Sequence, residues 1–422
     1  MKRKMALALA GLLVVGTALS GCGSSGGSSD GEKTDSSGKS DVKFYGKVIE
    51  YTSGPLMCDA LEEQLGDKYN FEMLQVDWGN LDKVIRTGIA SNEPCDVYNV
   101  VSSNLANFKD QVVDLTPYLD ENDGEWRKCF DPAALEMCTI DGKVLAIPWE
   151  VNFQTILGNK EAFDAAGVEI PESWDYETFM DACAKLKEAG YYPFATPMDL
   201  AQGAWLFGNG MLSAAVNAGT YEQYIAGELP FTGEETTQTL TAIKDLYDAD
   251  YVYPGEGAVI AKKDEIQAAF SQGKVAMIAN VAAGAKEVEG SASFEVVTVP
   301  WPSVGERPAY EGVSNAFLIP QNAANIEGAI EAIKAFTSAE IQGIHAEAGY
   351  IPVNTEVEIT DPFVQGLAAQ AKATYGYSFP QTAEYRDYTV NNLMPDLILN
   401  GGVELVETNL ETLRQDYLSS QE

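Results

Sequence analysis

Histidine is almost absent from this chain of 422 residues, in which His345 is the only one. A single imidazole cannot build a histidine-rich zinc site, and a Ser-His-Asp triad would depend on that residue alone. His345 lies in the helix-like stretch Ile341 to Ala346. We therefore expect it to be structural, and we expect no catalytic residues of the hydrolase-triad type.

Basic residues are also scarce. The chain has 27 Lys and Arg against 63 Asp and Glu, which gives a formal net charge of −36. Nucleic acid is excluded as a partner because phosphate binding needs a basic face. Such acidity is typical of a solvated surface, and it leaves a cationic ligand such as a polyamine open.

The six cysteines define neither a metal site nor a disulfide framework, because no CxxC spacing occurs. Without Cys22, five remain, an odd number that cannot all pair. Cys129 and Cys138 are close enough in sequence to bridge, but sequence does not establish a bond between them. We expect mostly buried free thiols, with no metal and no cofactor.

Long apolar runs are missing after Val15, so no later segment is expected to span a membrane. Before it, Lys2, Arg3 and Lys4 precede an apolar stretch that is too short to span, and Leu19-Ser20-Gly21-Cys22 follows. This arrangement resembles the lipobox of bacterial lipoproteins. The resemblance implies a signal peptide over residues 1–21 and lipidation of Cys22. The alternative is an ordinary secretory signal that ends near a cysteine.

Residues 22–40 are almost entirely Gly, Ser, Asp, Lys, Glu and Thr, which predicts a flexible tether. A lipid anchor at Cys22 would hold the protein on the extracytoplasmic face of the cell membrane, and the acidic composition suits a Gram-positive cell surface. A periplasmic lipoprotein stays open.

Beyond the tether, short apolar runs alternate with amphipathic segments. Predicted helices include one that starts near Asp175 and ends at Gly190, one over Leu81 to Ile89 and one over Ile326 to Phe336. Alternating strands and helices predict α/β layers with a mostly parallel sheet, whose ligands lie beyond the strand carboxyl ends. The strand-like runs are Lys47 to Tyr51, Asp96 to Val101, Lys274 to Ile278, Phe294 to Val299 and Ala316 to Ile319.

Several motifs, in order along the chain, resemble those of bacterial extracellular solute-binding proteins that serve ABC importers. The chain is similar to the carbohydrate-binding, maltose-binding-protein-like group (family 1). It departs from the group's pattern at Gly158, where Tyr is usual, and at Ser173, where Thr is usual. The matching segments are Asn92 to Tyr98, Val113 to Leu119, Asp141 to Pro148, Asn159 to Phe163, Ser173 to Asp175, Phe270 to Met277 and Gly349 to Val353.

The resemblance implies a periplasmic-binding-protein-like type II fold, in which two α/β lobes are joined by hinge crossovers. We place the crossovers near Pro148, Gly312 to Asn315, and Asp361-Pro362. Lobe 1 would then comprise residues 41–148 plus 315–358, and lobe 2 residues 149–314 plus 359–422.

It also implies that the protein is not an enzyme. It would capture a carbohydrate (a mono- or oligosaccharide) in the interlobe cleft, act as a monomer and deliver the ligand to the ABC transporter permease. A non-sugar ligand stays open: a polyamine, or ferric iron held by Tyr191 and Tyr192, although this pair also fits the sugar group's packing pattern. A surface-anchored glycoside hydrolase is the remaining alternative, and 63 acidic residues always supply carboxylate pairs.

A sugar ring is bound by aromatic faces and by amides, carboxylates and hydroxyls, so the candidates are such residues at strand ends and hinges. Glu150 is the preferred single candidate, against the alternative of a surface salt bridge. Trp205 is preferred for stacking, against a place in the core. The candidate ligand-binding residues are Tyr51, Ser53, Ser102, Ser103, Trp149, Glu150, Asn152, Asp199, Trp205, Asn280, Ser314, Asn315, Tyr377, Phe379 and Gln381.

Overall fold

A computed structural model describes residues 38–91, 94–199, 202–376 and 382–421. Within them the strands are β1 (Ser40–Gly46), β2 (Tyr69–Gln75), β3 (Val97–Val101), β4 (Thr139–Ile140), β5 (Lys143–Val144), β6 (Ile147–Asn159), β7 (Tyr192–Ala195), β8 (Val275–Val281), β9 (Val296–Val299), β10 (Tyr310–Leu318) and β11 (Thr374–Tyr375).

The α-helices are α1 (Gly54–Leu65), α2 (Leu81–Ala90), α3 (Thr116–Leu119), α4 (Glu121–Lys128), α5 (Pro132–Glu136), α6 (Lys160–Ala166), α7 (Tyr176–Glu188), α8 (Gln202–Ala218), α9 (Tyr221–Ile225), α10 (Glu234–Asp248), α11 (Lys263–Ser271), α12 (Ala282–Ser291), α13 (Ile326–Phe336), α14 (Ala339–Glu347), α15 (Pro362–Ala371), α16 (Ala383–Asn391), α17 (Leu393–Pro395) and α18 (Gly402–Gln421).

One mixed sheet runs through the molecule in the order β2-β1-β3-β10-β6-β8-β7, with β11 beside β10 and β9 beside β6. The α/β class is confirmed, but the prediction of a mostly parallel sheet is wrong. The long strand β6 is antiparallel to β8, β9 and β10, and β10 is also antiparallel to β3. A short apolar run indicates that a strand is buried and does not report the direction of its neighbours.

The first strand also differs from its prediction. The predicted strand Lys47 to Tyr51 contains a 3-10 turn over Val48–Glu50, and the strand itself is β1, which begins at Ser40 in the predicted tether. Two apolar side chains of β1, Val42 and Phe44, are buried in the core. The buried Lys47 forms an ion pair with Glu50, three residues on, a spacing that fits a helical turn.

The three predicted helices are confirmed as α2, α7 and α13. Helix α7 begins where expected because the Asp175 carboxylate accepts a hydrogen bond from the Thr178 amide at 2.9 Å. This N-cap satisfies one of the donors that the first turn of a helix leaves open. Asn325 caps α13 in the same way, accepting from the Gly328 amide at 2.9 Å.

Two large buried clusters cover the two ends of the sheet. One contains Phe44, Trp149 and Phe317 with the helices around them, and the other contains Phe179 and Trp301. Strands β6 and β10 contribute side chains to both clusters, since they run through the centre of the sheet. These two strands therefore connect the lobes of the fold.

The five cysteines in the described part of the chain are all free, as predicted, and Cys129 and Cys138 are not bridged. Only Cys138 and Cys183 are buried, so the expectation that most of the thiols are buried is wrong. Among the described residues, no helix is both long and apolar enough to cross a membrane.

Candidate functional site

The two central strands bring the predicted hinge residues side by side. In the antiparallel pairing of β6 with β10, Glu150 lies opposite Asn315 and Asn152 lies opposite Val313. The register shifts between Asn315 and Ala316, which is an irregularity of the β-bulge type. A polar pair therefore sits at the point where the regular ladder between the connecting strands is interrupted.

Glu150 is the centre of a buried hydrogen-bonded cluster, with 1 % of its surface exposed. Its Oε2 accepts from the Tyr51 hydroxyl at 2.5 Å and from Asn315 Nδ2 at 2.6 Å. Burial raises the pKa of the Glu150 carboxyl to about 7, although these two hydrogen bonds act to lower it. The alternative of a surface salt bridge is wrong, because the carboxylate is buried and no Lys or Arg of the described residues pairs with it.

Aromatic rings hold this cluster in place. The Tyr51 ring meets the ring of Trp149 at a centroid distance of 5.0 Å and that of Tyr350 at 5.2 Å. Trp149 is fully buried, and its Nε1 donates to Asn99 Oδ1 at 3.0 Å. In this conformation Trp149 supports Tyr51 and presents no surface to a ligand.

Ser53 and His345 form a second buried contact beside Tyr51. Ser53 Oγ lies 2.8 Å from His345 Nδ1, and the imidazole stacks on the Tyr350 ring at 4.6 Å. Burial lowers the pKa of His345 to about 3, so the ring is neutral at neutral pH. This placement agrees with the structural role expected for the histidine.

The serines after β3 lie close to β10. Ser102 Oγ accepts from the Ser314 amide at 3.0 Å, which ties the end of β3 to the second crossover. Ser314 is buried, whereas Ser103 is exposed. Of the three serines, only Ser103 is therefore exposed.

Asn152 and Asn280 lie further along the sheet. Asn152 Oδ1 accepts from the amide of Ala283, at the start of α12, at 3.1 Å. Asn280 is near the end of β8, and its Oδ1 accepts from the Val281 amide at 2.8 Å. Both side chains are thus held near the carboxyl end of β8. Asn280 Nδ2 donates to the Gly284 carbonyl at 3.5 Å, whereas Asn152 Nδ2 has no hydrogen-bond partner among the described residues.

Asp199 and Trp205 occupy separate positions. Asp199 is exposed and accepts from the Lys263 amide at 3.0 Å, at the start of α11. Trp205 is half-buried in α8. Within the ranges the structure describes, no hydrogen bond or ring contact joins either residue to Glu150. Tyr377, Phe379, Gln381 and the lipidation candidate Cys22 lie outside the described residues.

A further polar network next to β10 was missed at the level of sequence. The backbone amide of Glu311 donates to Asn209 Oδ1 at 2.7 Å, and Asn209 Nδ2 donates to Gln154 Oε1 at 3.3 Å. Tyr350 was also missed, although it lies in a motif that resembles the family's. The proximity of Glu311 to the predicted crossover at Gly312 was the available signal, but sequence could not place Asn209 against it.

The tyrosine pair suggested for iron lies in a packing position. Tyr192 is in β7 and its ring packs edge-to-face on Tyr253 at 5.2 Å, while Tyr191 packs against the core of the same lobe. In the described part of the chain, no group of three or more His, Cys, Asp or Glu is arranged to hold a metal ion. The cluster around Glu150 thus combines one buried carboxyl group with neutral donors and acceptors.

Comparison with known proteins gives relatives over most of the chain. The profile of the family described as bacterial extracellular solute-binding protein matches residues 59–343. A binding protein of Brucella abortus is 24% identical over 364 residues, which cover 81% of this chain and 83% of that protein. A carbohydrate ABC transporter substrate-binding protein of Streptococcus pneumoniae is 26% identical over 203 residues, covering 46% of this chain and 40% of that one.

Among solved structures, the ABC substrate-binding protein of Listeria monocytogenes in complex with cycloalternan has a similar fold. The TM-score is 0.71 at 17% sequence identity, and the match covers 90% of this chain and 99% of that one. This agreement extends over both lobes of the fold. The chain belongs to the bacterial extracellular solute-binding protein family, and it has that family's periplasmic-binding-protein-like, two-lobed α/β fold.

Proposed function

We propose that this protein is the substrate-binding component of an ABC importer and that it captures a carbohydrate, a mono- or oligosaccharide, between its lobes. The lobes are residues 41–148 plus 315–358 and residues 149–314 plus 359–422. Membership of an extracellular family places the protein outside the cytoplasm. Lipidation of Cys22 would anchor it to the membrane, and as a monomer it would deliver the ligand to the permease.

The observation that carries the proposal is the polar cluster at the crossover strands. Asn315 Oδ1 is buried without a hydrogen-bond partner among the described residues, next to the Glu150 carboxyl. Buried polar atoms are almost always paired, so an unpaired acceptor at a hinge points to a donor that arrives with ligand or water. Sugar hydroxyls are such donors, and they also accept hydrogen bonds from amides such as those of Asn152 and Asn280.

The known relatives support the same class of ligand. The Streptococcus pneumoniae relative is a carbohydrate ABC transporter substrate-binding protein, and the Listeria monocytogenes protein is in complex with cycloalternan. The family is one of binding proteins, and we propose no catalytic step for this chain. Ligand would favour the closed arrangement only through contacts with both lobes.

A thermal-shift screen against mono- and oligosaccharides, with polyamines and ferric citrate in the same panel, tests this function. A ligand at a hundred times its Kd adds about 2.7 kcal/mol to the free energy of unfolding. We expect a saccharide to raise the Tm of the wild type, and Asn152→Ala and Trp205→Ala to lose that rise. Asn391→Ala, an exposed asparagine on α16 that contacts Asp387, is the matched control and should retain it.

If only a polyamine raises the Tm, the ligand of this protein is a cation and the proposal of a sugar ligand is wrong. That result would also give the buried, cation-free Glu150 carboxyl a direct role in ligand binding. If only ferric citrate raises the Tm, Tyr191 and Tyr192 become the candidate ligands of ferric iron.

A further inference from the structure

A groove of about 580 Å³ opens between helix α2 and the edge of the sheet formed by β1 and β2. Its volume lies in the range of pockets that hold small ligands, roughly 300–1,000 Å³. Tyr45 and Tyr98 contribute its aromatic surface, and Gln75 and Lys83 line opposite sides. None of the candidate ligand-binding residues lines this groove.

The rings of the two tyrosines are stacked. Tyr45 lies opposite Tyr98 in the parallel pairing of β1 with β3, and their rings stack at a centroid distance of 6.3 Å and an angle of 29°. Tyr98 is buried and its hydroxyl accepts from the Cys95 amide at 3.0 Å, whereas Tyr45 remains partly exposed. The groove thus presents one accessible ring, that of Tyr45, which is supported by the buried ring of Tyr98.

Helix α2 is held close to this surface by a glycine. A Cβ on Gly88 would lie 1.8 Å from the Tyr98 hydroxyl, so no larger residue fits there without displacing the ring or the helix. The close approach sets the width of the groove. It also leaves Thr87 and Lys83 exposed along the wall.

The rim is polar and carries both donors and acceptors. Asp77, Asn80 and Lys83 supply a carboxylate, an amide and an ammonium group, and all three residues are exposed. Their side chains form no hydrogen bond or ion pair with other parts of the chain that the structure describes. Because neither sign of charge dominates, the rim suits a neutral ligand rich in hydroxyl groups.

The groove is connected to the candidate site through one hydrogen bond. Gln75 Nε2, on the groove, donates to Glu50 Oε1 at 2.8 Å. Glu50 directly precedes Tyr51, whose hydroxyl contacts Glu150. The groove therefore reaches the end of the sheet where the chain leaves β1 towards Glu50 and Tyr51.

We propose that this groove binds a sugar ring of an oligosaccharide whose other rings lie between the lobes, so that the protein prefers longer saccharides to monosaccharides. The Tyr45 ring packs on the C–H face of the sugar, while the rim side chains bind its hydroxyl groups. This inference rests on the proposed function and names its substrate class.

Isothermal titration calorimetry of the full chain with saccharides of increasing length tests the inference. The probes are the mono-, di-, tri- and pentasaccharides of the malto-, xylo- and chito-oligosaccharide series. In the series that binds, we expect the wild-type Kd to fall as the saccharide lengthens. Thr87→Trp, which fills the groove from an exposed position, should raise the pentasaccharide Kd about tenfold, the scale of one aromatic contact, and leave the Kd of the shortest binding saccharide unchanged.

Tyr45→Ala removes the proposed stacking ring and should have the same length-selective effect as Thr87→Trp. Ala90→Trp adds the same bulk at the exposed end of α2, outside the groove lining, and should not change any Kd. If the wild-type Kd does not depend on length, or if both groove variants keep the dependence, the inference is wrong and the proposed function stands. If no saccharide binds, both are wrong.

Discussion

At the scale of single residues, the polar groups at the crossover strands are arranged by burial more than by charge pairing. Glu150 is buried with two neutral donors on one oxygen, and its pKa is raised to about 7. His345 is buried against Ser53, and its pKa is lowered to about 3. The His345 ring is neutral at neutral pH, whereas Glu150 is mostly neutral only below about pH 7. The two shifts link folding stability to pH in opposite directions.

Glu150 predicts a loss of stability as pH rises. Its folded pKa of about 7 exceeds its ordinary value of 4.5, so the folded state binds more protons between these values and stability falls with rising pH across that window. Relative to Glu150→Gln, the wild type should lose about 3 kcal/mol of unfolding free energy between pH 4 and pH 8. Urea denaturation at the two pH values measures this difference.

The control for that experiment is Glu256→Gln, which changes an exposed carboxylate and should leave the pH dependence of stability unaltered. A difference between wild type and Glu150→Gln that stays constant from pH 4 to pH 8 would show that Glu150 is not the buried carboxyl group described.

His345 predicts the opposite sign. Its folded pKa is below its ordinary value of 6.5, so the unfolded state binds more protons and stability is lost as pH falls through 6.5. The unfolding free energy of the wild type, relative to that of His345→Gln, should be about 2 kcal/mol lower at pH 5 than at pH 8. Denaturation curves of the two proteins measure it, and equal curves at both pH values would refute the burial of the imidazole.

At the scale of elements, helix α7 shows that a capping residue before an amphipathic run predicts where a helix begins. Asp175 before an amphipathic run predicted the start of this helix, and the structure contains the expected N-cap bond to Thr178. Asp175→Ala should lower the free energy of unfolding by about 1 kcal/mol. Asp181→Ala, an exposed position within α7, is the control and should change stability by less than about 0.5 kcal/mol.

Strand β6 explains one departure from the family pattern. A Cβ at Gly158 would lie 2.7 Å from Val299 Cγ2 and 2.8 Å from Phe163 Cε2. The side chains of β9 and α6 therefore pack directly against the backbone of β6, which leaves no room for a side chain at this position. Gly158→Ala should cost about 1–3 kcal/mol through overpacking, as measured by urea denaturation. Gly142→Ala is not a suitable comparison because Gly142 has a positive φ of 75°. Gly343→Ala in α14 is the comparison, because a Cβ there meets no atom within 4 Å outside its own helix; it should raise the free energy of unfolding by about 0.5–1 kcal/mol.

Sequence could predict the elements whose signal is local. The helix from Asp175 to Gly190 follows from capping and periodicity, and the choice of Glu150 and Asn315 as candidate site residues follows from their positions beside the hinges that the family resemblance implies. It could not predict that β6 and β10 run antiparallel to their main neighbours, because strand direction depends on contacts between distant segments. The contact between the rings of Tyr350 and Tyr51, which are almost 300 residues apart, could not be predicted for the same reason.

At the scale of the whole molecule, strands β6 and β10 supply two of the three crossovers between the proposed lobes. The ladder between β6 and β10 has a register shift beside Asn315. A short connection of this kind is typical of a hinge, which lets two rigid lobes close around a ligand. In the proposed mechanism a saccharide contacts both lobes, and its binding free energy shifts the population towards the closed state. The permease would then recognise that closed form.

Small-angle X-ray scattering of the protein, with and without the saccharide that most raises its Tm, tests this central claim most directly. We predict that saturating saccharide reduces the radius of gyration, and that Asn152→Ala at the same saccharide concentration scatters like the unliganded wild type. A saccharide that binds to saturation and leaves the radius of gyration unchanged would contradict capture by closure between the lobes.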